Sequence, residues 1–496
     1  LSDSGRENPE RQDIAALAKG GRTNFIGFLL RLAARIPFLF IAGRLYGADA
    51  LGRFAFALVI VELCGMLGSL GLKRGLALRL AQEEQPPANI VADALTASLT
   101  AALLLTGALL LFPAPMFPSG VAYPLDMLLP LAIVPLALTE ITLSALAYRF
   151  DVSTTVRSRA IVEPWVLSIG SAGLFFIAPH GGMSLAYLLS IYAAAITALV
   201  PLWRSYGWPA DWRPNAAGLL RLAWNNTPLA VADLVEWGSR RLDIAILGLF
   251  ASPAAVGVYW AAQQVASLPQ RLKSSFEPIL GPVIARNLKE GNHAAIAKQV
   301  CQVGFWITAA QAGIALALGI PGEGVMGLLG PFFVGGTGAL AFLLAAEVVA
   351  ATAVVSEAAL VYVARMRNLA ISVGTIALQA ALTVSAMMLV TKFQLPELYR
   401  SAAAAAALFI TLAVASLIKA GLLTRILGEK INNWRWTLVF AAAPAIIIGW
   451  LATRYLPEWA ELIFGIPAIL LSYGFVIWRY GFGPEDRVLF SKNVGA

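Results

Sequence analysis

Four arginines lie inside hydrophobic segments long enough to span a bilayer: Arg31, Arg35, Arg240 and Arg241. A guanidinium at membrane depth is costly unless it meets a water-filled cavity, a fixed counter-ion or an anionic ligand. Arg31 and Arg35 are four residues apart, so they share one helix face, and no carboxylate lies within helical reach of them on that segment. Two forked cations pointing together suit a diphosphate, whose oxygens accept bidentate hydrogen bonds. The plainer alternative pairs them with Glu62 or Glu140 of neighbouring segments, where they would only hold helices together. The later segment mixes signs: Asp233, Glu236, Arg240, Arg241 and Asp243, with Glu236 and Arg240 in the favourable i, i+4 order. A structural salt bridge there stands as an equal alternative to a substrate contact, but it does not explain so many ionisable groups on one helix; a partly hydrated lumen does. There Arg240 or Arg241 would meet an anion; adjacent residues point about 100° apart, so only one need face it. Asp233, Glu236 or Asp243 could carry a proton or Na⁺ and couple transport to a gradient. Glu62 and Glu347 are further acids at membrane depth with the same option, although the plainer role for each, as for Glu140 and Glu357, is helix packing or pairing with an arginine.

The elements that must hold these charges follow from composition. Of 496 residues, 59% are hydrophobic and 13% charged, and the mean hydropathy is +0.75, values that place the chain in a membrane. Windows of about 19 apolar residues predict fourteen helices near 22–43, 54–72, 91–112, 127–147, 161–178, 183–203, 224–249, 255–270, 299–320, 332–361, 369–391, 399–418, 435–453 and 460–478. The longest hydrophilic stretch between them, 271–298, is too short for a catalytic domain. No metal-ligand spacing, phosphate-cradling glycine loop or Ser/His/acid set is present, so the expected protein is not an enzyme and needs no cofactor beyond a possible H⁺ or Na⁺ gradient. Residues 1–19 lack an apolar core and cleavage site, so no removable signal peptide is expected. Prolines at 37, 130, 135, 228 and 269 are expected to kink their helices.

The net charge of +8 is explained by topology rather than by nucleic acid. About 27 of the 36 Lys and Arg fall in the alternate connections shared by both termini. Only Arg44, Arg53, Lys392, Arg400 and Arg454 fall on the other side. By the positive-inside rule both termini are cytoplasmic. Cys64 and Cys301 lie in apolar segments, and His180 and His293 on opposite sides of the membrane, which argues against a disulfide framework and a shared metal site.

A repeat organises the fourteen segments. Gly43, Gly52, Phe54 and Ala57 recur, shifted by 205 residues, as Gly248, Gly257, Tyr259 and Ala262. The same shift sets Arg35 against Arg240. Six segments precede the repeat point, so the halves run parallel in the membrane. The expected organisation is a cytoplasmic segment 1–21, an N-lobe 22–210, a C-lobe 211–424 and two extra helices in 425–496: an all-α polytopic membrane protein. Paired six-helix halves are a transporter architecture, with a substrate site near the midplane that is exposed to each side in turn.

The stretches Gly21-Arg-Thr-Asn-Phe-Ile-Gly, Gly43-Arg-Leu-Tyr-Gly-Ala-Asp-Ala-Leu-Gly-Arg-Phe-Ala-Phe-Ala and Gly68-Ser-Leu-Gly-Leu resemble the opening of bacterial polysaccharide and oligosaccharide flippases. These belong to the multidrug/oligosaccharidyl-lipid/polysaccharide exporter superfamily. Gly483-Pro-Glu-Asp-Arg-Val-Leu-Phe resembles their cytoplasmic end. The resemblance implies a V-shaped pair of six-helix lobes in the bacterial inner membrane. It also implies transfer of a polyprenyl-diphosphate-linked oligosaccharide to the periplasmic leaflet, in partnership with membrane lipids and polysaccharide polymerase machinery. The family's lumen arginines map onto Arg31 and Arg35, and then Arg240; the extra helices would flank a groove for the lipid tail. Twelve spans would better suit a multidrug exporter, and the first segment departs from the pattern of the lipid II flippase branch.

Overall fold

The structure, a computed structural model, describes residues 36–82, 85–274, 277–484 and 486–487. Every regular element among them is helical. We label the longer helices α1 (Gly47–Gly68), α2 (Leu72–Gln82), α3 (Pro87–Leu111), α4 (Ile133–Tyr148), α5 (Glu163–Phe175), α6 (Gly182–Tyr206), α7 (Ala216–Phe250) and α8 (Pro253–Ser274), then α9 (Glu277–Lys289), α10 (His293–Gly319), α11 (Thr337–Val363), α12 (Arg365–Lys392), α13 (Leu398–Leu427), α14 (Thr437–Tyr455) and α15 (Ile466–Val476).

Each expected segment from the second to the fourteenth coincides with a helix. Ten helices among the described residues are long and apolar enough to cross a membrane, against the fourteen expected. The difference has local causes. The first segment lies mostly outside the described residues. The fifth is a 13-residue helix preceded by a π-helical stretch, Val156–Val162, which breaks its length. The seventh, α7, is 35 residues long but carries six charged side chains, and α8 is less apolar. Both α7 and α8 run on through their internal prolines, Pro228 and Pro269.

The chain forms two compact units, one ending at Trp260 and the other beginning at Ala261, with the boundary inside α8. In the first, α1 is central and packs on α3, α4 and α7, while α6 lies on α4 and α5 packs along α6. Leu72, Leu76, Ile90, Ile141, Leu146 and Leu222 form part of its core. The chain enters α1 through a π-helical turn, Ala42–Tyr46, released by Gly47 at φ +81°. Only glycine takes that conformation without strain.

The repeated glycines meet each other. A methyl group on Gly52 of α1 would overlap the Pro253 carbonyl oxygen and lie 2.7 Å from the Gly257 nitrogen. One on Gly257 would overlap the Ala48 carbonyl oxygen and lie 2.9 Å from the Gly52 nitrogen. Because 48 and 253 differ by 205, as do 52 and 257, the contact is reciprocal under the same shift that relates the repeats. One loop charge is also placed differently from expectation. Arg53 is buried rather than exposed, paired with Asp49 and 3.6 Å from Asp126, with its guanidinium 4.6 Å from the Tyr123 ring centre.

In the second unit α11 and α13 pack along one another, α12 covers α13, and α10 contacts α11, α14 and α15. Phe305, Trp306, Val355, Leu360, Ile469 and Tyr473 share its core. The tail after α15 is pinned by Asp486, a buried carboxylate. It accepts hydrogen bonds from Trp306 Nε1 (2.9 Å), the Arg435 guanidinium (2.7 Å), Gln302 Nε2 (3.3 Å) and the Gly483 amide (2.9 Å). Asp486→Ala removes an acceptor shared by four donors and should cost about 1–3 kcal/mol. The expected result is faster proteolytic clipping after residue 480 with the helical core intact; an unchanged digestion pattern would contradict it.

Candidate functional site

The charged groups gather where α2 meets α7, and glycine geometry brings those helices together. After α1 the chain reverses through Leu70 and Gly71, both at positive φ (+53° and +70°). Gly71 and Gly75 then flank Arg74 on α2. A methyl on Gly71 would lie 2.5 Å from the Ala230 nitrogen and 2.8 Å from the Asn226 carbonyl oxygen, and one on Gly75 would overlap the Asn226 side chain. The 226–230 segment of α7 therefore lies directly on α2. One turn further along α7, Asp233 and Glu236 come into reach of Arg74.

Arg74 Nε donates to Asp233 Oδ1 at 2.7 Å, and its terminal nitrogen donates to Glu236 Oε2 at 2.6 Å. The other oxygen of Glu236 lies 3.0 Å from the Arg240 guanidinium, as the i, i+4 spacing predicts. One carboxylate thus bridges arginines of two helices. Arg241 turns away to α1 and pairs with Glu62 at 3.0 Å, each side chain 27% exposed. Arg240 is 68% exposed, Arg74 44% and Glu236 35%. Beside them Glu140 of α4 binds Lys73 (3.0 Å) and Arg159 (2.7 Å), and Arg159 also holds Glu163 at 2.8 Å. Lys73, Arg74, Arg159, Arg240 and Arg241 face Glu62, Glu140, Glu163, Asp233 and Glu236, so these ten charges balance.

The sequence-derived residues separate into groups. Glu62, Asp233, Glu236, Arg240 and Arg241 belong to this network. Asp243 lies deeper, buried between α7 and α8, where the hydroxyl of buried Tyr259 donates to it at 2.6 Å and Arg241 acts on it electrostatically. Glu347 is buried in the second unit, on α11. Arg31 and Arg35 lie outside the described residues. Glu62 and Glu140, offered as their partners, are held by Arg241 and by Lys73 with Arg159. Hydropathy alone makes Lys73, Arg74 and Arg159 loop charges. The available signal to the contrary is the pair of glycines around Arg74, which marks a close helix approach. A separate ion pair joins buried Lys419 of α13 to Glu357 of α11 at 2.8 Å, with Ser372 as a second acceptor.

Residues 41–308 match the polysaccharide biosynthesis protein family. Comparison of the sequence with curated proteins finds no match. Among solved structures, the lipid II flippase MurJ in an inward closed conformation aligns with a TM-score of 0.71 at 12% identity, over 91% of this chain and 98% of MurJ. An inward-facing multidrug resistance MATE family transporter of the MOP superfamily aligns with a TM-score of 0.62 at 14% identity, over 81% and 98%. A MOP superfamily transporter from Pyrococcus furiosus aligns with a TM-score of 0.55 at 12% identity, over 85% and 99%. The fold is that of these multi-pass membrane proteins. The chain belongs to the polysaccharide biosynthesis protein family and shares its fold with these transporters.

Proposed function

Because the chain belongs to the polysaccharide biosynthesis protein family, we propose that it is a flippase carrying a polyprenyl-diphosphate-linked oligosaccharide from the cytoplasmic to the periplasmic leaflet of a bacterial inner membrane. The observation that carries this reading is the open charged face of α2 and α7. Arg240 is ten residues from the end of α7 at Phe250, or about 15 Å at 1.5 Å per residue. Placing Phe250 at the membrane face puts Arg240 at the depth of the bilayer midplane. A guanidinium so open, paired with Glu236 on one side only, needs water rather than lipid on the other and has room for an anion there. Arg240 meets the diphosphate together with Arg31 and Arg35, while Arg241, turned to Glu62, adds to the field without a contact. The sugars cross in the hydrated lumen as the prenyl tail stays in lipid, and polymerase machinery takes the product.

The topology belonging to this proposal has fourteen spans, cytoplasmic termini, parallel six-helix lobes at 22–210 and 211–424, and two further helices in 425–496. The shift of 205 residues and the reciprocal Gly52–Gly257 contact support it. Transport proceeds by alternating access. An H⁺ or Na⁺ gradient would act through Asp233, Glu236, Asp243, Glu62 or Glu347.

Deleting the gene in its native host and identifying accumulated lipids by mass spectrometry tests the reading. One complete lipid-linked repeat unit should accumulate. The wild-type gene should clear it, and Arg240→Ala or Arg31→Ala/Arg35→Ala should not. Accumulation of lipid II instead would assign the substrate to peptidoglycan synthesis. No accumulation, with greater sensitivity to cationic drugs, would make the protein a multidrug exporter.

A further inference from the structure

Glu236 is placed where an anionic ligand of Arg74 and Arg240 would sit. Its oxygens lie 2.6 Å from one guanidinium and 3.0 Å from the other, on two different helices. A phosphate group presents oxygens at similar separation and more of them, so it can take the same two donors. The site already contains a carboxylate imitation of its ligand. We propose that Glu236 is a built-in competitor for the diphosphate: it holds Arg74 and Arg240 in the empty protein, yields them to the entering substrate, and retakes them as the substrate leaves. This rests on the flippase reading and adds Arg74, a residue of α2, to the diphosphate site.

Two observations support exchange over a fixed structural pair. All three side chains are at least one-third exposed, whereas Asp233, which binds the other edge of Arg74, is buried. Asp233 can therefore keep Arg74 in position on its Nε side while the terminal nitrogen changes partner. The balanced charge also matters. A diphosphate bound by arginines with no competing acid would leave slowly, and a carrier must release what it binds.

The test measures binding of farnesyl diphosphate to the full-length protein in nanodiscs, with farnesol as the control. Wild type should bind the diphosphate in preference to farnesol, and Arg74→Ala or Arg240→Ala should weaken that binding about tenfold, as expected for a lost charge-assisted contact. Glu236→Gln should bind about tenfold more tightly than wild type and release the probe more slowly. Glu236→Asp, with its charge kept but its reach shortened by one methylene group, should also bind more tightly, so the result does not depend on one variant folding. If wild type shows no preference for the diphosphate, the flippase reading itself fails. If wild type prefers it through Arg240 but both Glu236 variants bind equally or more weakly, only the competitor role is overturned.

Discussion

Alanine in place of Gly52 is expected to destabilise the protein by about 3 kcal/mol, the upper end of the usual range for overpacking. The added methyl meets backbone, the Pro253 carbonyl and the Gly257 amide, rather than a side chain that could rotate away. Gly257→Ala should cost a similar amount, because its methyl meets the Ala48 carbonyl and the Gly52 amide. The decisive measurement is the double variant. Moving α1 and α8 apart once relieves both overlaps, so the double should cost clearly less than the sum of the singles, a coupling that neighbouring sites show and distant ones do not. Thermal unfolding of the detergent-purified protein, followed by size-exclusion chromatography, reads all three. Strict additivity, or a Gly52→Ala variant as stable as wild type, would mean the helices do not approach as described.

The second large effect is at Glu62 and Arg241. Removing one member of a buried ion pair costs roughly 3–5 kcal/mol because the other charge is left uncompensated. Here each side chain is 27% exposed, so partial solvation should reduce the loss to about 2 kcal/mol. Glu62→Gln and Arg241→Gln should each lower thermal stability, and the double replacement should recover most of the loss. Transport should survive in the double variant, since Arg240 rather than Arg241 is open to a ligand. A stable double variant that no longer clears the lipid-linked oligosaccharide would make Arg241 a substrate contact.

Hydropathy locates the helices well because a lipid-spanning segment must be apolar along its whole length. α6 starts one residue before and ends three after the expected range, and α4 together with the 3-10 stretch Asp126–Ala132 before it covers 126–148 against the expected 127–147. It is less informative where helices carry charge or change their winding, as at α7 and the π-helical approach to α5. The candidate site is half legible. Acids and arginines at membrane depth can be recognised from the chain, but which of Arg240 and Arg241 is sequestered depends on where α1 lies against α7. Lys73 and Arg74 read as loop charges because a hydropathy window cannot see that Leu70 and Gly71 fold the next helix back onto α7. The repeat is visible in the shift of 205 residues. That its glycines touch one another follows only from the packing.

That contact also bears on origins. Its two sides are interchangeable, each glycine meeting the carbonyl four positions before the other, as in the self-complementary interface of a two-fold symmetric homodimer. Two copies of a half-length ancestor could have met in this way before their genes fused. Fusion would then have required no new surface at this point, and a change at either glycine now disturbs the seat of the other.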